Sequence, residues 1–183
     1  MRSSMSAPRT RLRDKLCREL AQAERDARLH PRREARRLRE GQAAEALFAI
    51  ADHADGIEPG LMKVLGRRQA VGIKLAHAVA SVFSGVRHLF LDHLIGRERS
   101  YRGTLLGLRH GVDVARLLRE VATLNHDVAL IKFCDLFLVE RLCLLEDAEQ
   151  AFAWFAEHPE IALGHGARHG TRLALPAPSE VTA

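Results

Sequence analysis

The spacing of aliphatic side chains most limits what this chain can fold into. Ala43, Leu47, Ile50, Ala54, Ile57, Leu61 and Val64 recur at alternating intervals of four and three over three heptads. That rhythm keeps one stripe of an α-helix against its neighbours. Leu75, Val79, Val82, Val86, Leu89 and His93 repeat it, and Ile131, Cys134, Leu138, Leu145, Ala148, Phe152 and Phe155 form a further apolar seam. No sustained alternation of the strand type interrupts these runs, so the fold class is all-α. Aromatics make up only 5% of the residues, which leaves Leu, Val, Ile and Ala to build the core.

The seams predict helices over about 42–66, 70–95, 99–124 and 127–157. Glu58-Pro59-Gly60 predicts a kink in the first, and Asp127 is the expected N-cap of the last. Short connections make neighbours antiparallel, giving an up-down-up-down four-helix bundle over 42–158. Facing residues would include Leu61–Leu75 and Leu47–Leu89, then Leu89–Leu108 and Leu75–Ala122, then Leu105–Leu145 and Val112–Leu138.

Two flanking segments complete this division. Residues 1–41 read as a basic helical arm. Residues 1–8 lack a structural signal, a thin stripe of Leu12, Leu16, Leu20 and Ala23 marks a helix over 9–29, and His30-Pro31 ends it. A second piece over 31–39 precedes Gly41. Residues 159–183, rich in Gly, Ala and Pro, read as a flexible tail.

The helix expected over 99–124 has three distinct faces. One belongs to the bundle seam. Beside it Arg102, Arg109 and Arg116 stand seven residues apart, opposite Glu149, Glu140 and Asp135 in the antiparallel register, as structural ion pairs. The third face carries Gly103, Gly107 and Gly111, with Leu106, Val114, Leu117 and Val121. Glycine inside a helix costs about 1 kcal/mol relative to alanine, so this face implies a closely approaching partner. The N-terminal helix and a second copy of the chain are the two candidates.

Chemistry has weaker support. Bundles of this architecture can hold metals through Glu-x-x-His pairs, and that motif is absent. The nearest ligand set for a divalent metal or small molecule is Glu45, His88, Asp92, His93, His110 and Glu140, spread over separate levels. No cofactor is predicted. Cys17, Cys134 and Cys143 lack metal spacing and read as reduced thiols in a cytoplasmic protein. No phosphate loop or nucleophile motif occurs, which favours a non-enzymatic role.

Charge is distributed unevenly. Residues 1–40 hold thirteen Arg or Lys against six Asp or Glu, a surplus of seven in a chain of net charge +5. Nucleic acid is an alternative partner of that arm. It is not favoured, because acids interleave at helical spacing (Asp14–Arg18, Glu24–Arg28, Arg36–Glu40) and suggest a self-paired helix. No signal peptide opens the chain, and charged residues interrupt the longest apolar stretch, which argues against a membrane span. The leading expectation is an interaction or assembly module that uses the outer face of helix 100–124 to bind a protein partner or a second copy.

Overall fold

Residues 7–65 and 96–164 are described by the computed structural model. Every regular element among them is helical: α1 (Ala7–Leu38), α2 (42–65), α3 (Arg97–Leu124), α4 (Val128–Glu157) and the short α5 (Pro159–Leu163). The fold is an all-α helical bundle. No helix among the described residues is long and apolar enough to cross a membrane. The helix expected over 70–95, and its pairings on both sides, lie outside the described residues.

Residues 7–38 are not peripheral. Leu16, Cys17 and Leu20 join one apolar core, and Ala27, Ala35 and Leu38 join a second. Cross-links give the layout. Arg28 reaches Glu58 at 2.5 Å and Arg32 reaches Asp52 at 2.6 Å, so α1 and α2 run antiparallel. Arg9 donates to the Leu124 carbonyl and Ser100 donates to Glu34, so α1 and α3 also run antiparallel. Phe133 lies against Gly60 and Trp154 against Gly41, which sets α4 antiparallel to α2. Within the described residues α1 therefore stands between α2 and α3, the flank that the predicted pairings gave to residues 70–95.

The break expected at His30-Pro31 does not occur. α1 runs unbroken through Pro31 for 32 residues. An interior proline loses one backbone bond and crowds the preceding turn, a cost of roughly 3 kcal/mol. Pro31 is fully buried. Burial of Ala27, Pro31, Ala35 and Leu38 on one face offsets that cost, as tertiary packing commonly overrides local propensity. α2 likewise stays helical through Glu58-Pro59-Gly60. Asp127 caps α4 as expected, its side chain accepting from Leu130 N at 3.1 Å.

The expected tail begins with structure. After His158 the chain forms α5, whose Ile161 and Ala162 pack on the core, and Arg97 N donates to the Gly164 carbonyl at 3.3 Å.

The register of α3 on α4 differs from the expected one. Tyr101 is fully buried, edge-on to Phe155 at 5.1 Å, and its hydroxyl donates to the Ala148 carbonyl at 2.8 Å. Arg109 meets Glu149 rather than Glu140, and Asp135 is taken by Arg119 rather than Arg116. Arg102 and Arg116 turn to Glu98 and Asp113 on their own helix. Heptad phase fixes which face of a helix is buried but leaves the axial offset open. Seating the Tyr101 ring beside Phe152 and Phe155 sets that offset here.

The α1–α2 turn depends on backbone that only glycine adopts freely. Gly41 has φ of 101°, and a Cβ there would lie 2.7 Å from Trp154 Cζ2. Gly41→Ala should destabilise the protein by about 1–3 kcal/mol through the combined clash and strain. Trp154 is the only tryptophan, so a urea titration followed by its fluorescence reads the loss directly.

Candidate functional site

At mid-height the bundle carries a polar layer between its two apolar cores. Glu24 of α1, His53 of α2 and Arg141 of α4 meet there. Arg141 is 1% exposed, and its Nη2 donates to Glu24 Oε2 at 2.5 Å. Its Nε donates to His53 Nδ1 at 3.2 Å, and its guanidinium lies over the Phe137 ring at 5.2 Å. His53 Nε2 lies 3.0 Å from Glu140 Oε2 on the rim. α3 contributes Gly111, where a Cβ would sit 3.4 Å from Ala23 Cβ and 3.6 Å from Glu24 Oε1. These are ordinary contact distances, so α3 closes directly over this layer.

Burial dominates the electrostatics of this layer. It raises the Glu24 carboxyl above its ordinary value against the opposing pull of Arg141, and it lowers the Arg141 guanidinium against the pull of Glu24. It also lowers His53, with Arg141 acting in the same direction and Glu140 opposing. A ring that accepts from Arg141 through Nδ1 is neutral, with its proton on Nε2 facing Glu140. Glu24 and Arg141 are paired and His53 accepts from Arg141, while His53 Nε2 makes no hydrogen bond among the described residues; the layer ties α1, α2 and α4 together. Neither Glu24 nor Arg141 was singled out from the sequence. The signal was there: Arg141 fills a four-three position between Leu138 and Leu145, and Glu24 does the same between Leu20 and Ala27.

The face of α3 singled out for a partner divides in three. Gly111, Val114 and Val121 are buried, with Gly111 directly under α1. Gly103 and Gly107 have no atom within 4 Å of where a Cβ would stand. They open a groove of about 440 Å³ between α1 and α3, floored by Ala27, Pro31 and Leu108 with Arg33 and Arg99 at its edge. Leu106 and Leu117 face outward, 68% and 48% exposed.

Of the six residues considered as ligands, the three that fall among the described residues do not come together. Glu45, His110 and Glu140 are exposed on three different helices, while His88, Asp92 and His93 lie outside the described residues. Among the described residues no three His, Cys, Asp or Glu side chains come close enough to hold a metal ion. Cys17 and Cys134 are buried, and burial pushes their thiols up to about 11 and about 12, so both stay protonated at neutral pH. Comparison with protein-family models, with curated proteins and with solved structures returns no match.

Two outcomes follow from the polar layer. Glu24→Ala leaves a buried guanidinium without its carboxylate and should cost about 3–5 kcal/mol, whereas Glu24→Leu combined with Arg141→Met should recover most of that loss. Urea midpoints of the variants measure both. His53 is lowered in the folded state, so its contribution is complete above the ordinary histidine value near 6.5 and is lost as pH falls through the lower folded value. Stability should decline on acidification from pH 7 to 5, by at most about 1.4 kcal/mol per pH unit for this one proton. His53→Gln should flatten that part of the profile.

Proposed function

We propose that the protein is a non-enzymatic interaction and assembly module whose partner, in the first instance a second copy of itself, packs on the outer face of α3. The carrying observation is the line of Leu106, Leu117 and Leu124 on that face, 68%, 48% and 62% exposed, beside the groove opened by Gly103 and Gly107. Large aliphatic side chains aligned on one helix face, next to a concavity made of small residues, suit a packed helix better than solvent.

The charges support a second copy. If a second α3 lies antiparallel across the first about an axis near Gly111–Val112, Leu106 falls opposite Leu117. Arg102 then falls opposite Glu120, and Arg109 opposite Asp113. The face is self-complementary, as a two-fold interface must be. The arginines already hold exposed partners in the single chain. Exchanging such pairs is inexpensive, because each is worth about 0–1 kcal/mol.

Sedimentation of the full chain at micromolar concentration tests this reading. A dimer is expected, and Leu106→Glu combined with Leu117→Glu should convert it to a monomer without changing the helical circular dichroism. A wild-type chain that remains a monomer across that range would overturn self-assembly.

A further inference from the structure

The outer face of α1 carries a row of cations that the bundle does not use. At 100° per residue, Arg11, Lys15, Arg18, Arg25, Arg33 and Arg36 fall within about 80° of the helix circumference. The row runs for ~38 Å at 1.5 Å per residue. No acid of α1 falls in that sector. Lys15 holds Glu19 at 3.5 Å, while the five arginines enter no ion pair among the described residues.

The interleaved acids do not neutralise this row. Asp14 is held by Arg13, Glu24 is committed to Arg141 inside the bundle, and Arg28 crosses to Glu58 and Asp55. Arg28 and Arg32 pair across to α2, and Arg37 pairs with Glu34 beside Ser100 of α3. Between these flanks Arg11, Arg18, Arg33 and Arg36 are exposed, and Arg25 is half-buried at the edge of the crevice toward α2. Continuity through Pro31 matters as well. A break at residue 30 would turn Arg33 and Arg36 away from the line of Arg11, Arg18 and Arg25.

We infer that this row is a docking surface for the phosphate backbone of duplex DNA, bound without regard to sequence. A straight rod of cations about five residues apart presents positive charge at intervals suited to successive phosphates. A row confined to one face can follow the phosphates of B-form DNA, which carries one negative charge per about 1.7 Å of helix axis. α1 has no aromatic side chain for stacking on bases, which leaves the backbone as the target. A membrane surface fits less well. An interfacial helix buries a continuous apolar face in lipid, and here Leu16, Leu20 and Leu38 are buried in the core, which leaves only Leu12 and Leu29, far apart along α1, exposed. This surface touches the groove beside α3 only at Arg33; Arg11, Arg18, Arg25 and Arg36 lie apart from it.

Fluorescence anisotropy of a labelled random-sequence duplex, titrated with the full chain, tests the inference. Five phosphate contacts should weaken binding up to about 500-fold between 50 and 200 mM salt. Replacing Arg11, Arg18, Arg25, Arg33 and Arg36 with Gln should lower affinity at least tenfold at the lower salt and flatten the salt dependence. Circular dichroism confirms that this variant is folded. Lys63→Gln with Lys132→Gln, which removes two exposed cations elsewhere, should leave affinity within about twofold. Unchanged duplex binding in the five-fold variant would overturn the inference. So would tighter binding to single-stranded RNA than to duplex, or binding confined to vesicles of anionic phospholipid.

Discussion

The ion pair between Arg141 and Glu24 is the constraint from which the rest of the structure follows. Both groups are removed from water, where each would otherwise be well solvated. Their mutual attraction in a medium of low dielectric offsets part of that loss only when geometry is close and the remaining polar atoms are engaged. His53 Nδ1 accepts from the guanidinium Nε, and Phe137 offers its ring face. These demands fix the relative height of α1, α2 and α4 at one level. Apolar packing above and below could tolerate a slip along a helix axis, but this layer cannot.

α1 follows from that constraint. Considered alone it is strongly charged, with an apolar stripe too thin to mark it as a core helix. Glu24 ties it to α4 across the bundle, and Glu34 ties it to Ser100 at the start of α3. The same docking carries the helix through Pro31 and places its cations in one outward row. A feature that looks local is therefore set by contacts with three other helices.

Two outward faces remain exposed among the described residues. α3 turns leucines and two open glycines to one side, and α1 turns arginines to another. One face suits a dry, packed partner and the other a hydrated, charged one. The polar layer between them ties α1, α2 and α4 together, with its histidine neutral.

Periodicity by itself determined the all-α class, the boundaries of α3 and α4 to within about two residues, the Asp127 cap and most of the buried seam. Each of these depends on side chains a few residues apart on one helix, and that information is local. Only the tertiary structure decided that α1 belongs to the bundle, that α3 and α4 meet with Arg109 at Glu149, and that Glu24 finds Arg141. Heptad phase leaves the axial offset and the choice of neighbour open, and a buried charge looks solvated until its partner 117 residues away is in place.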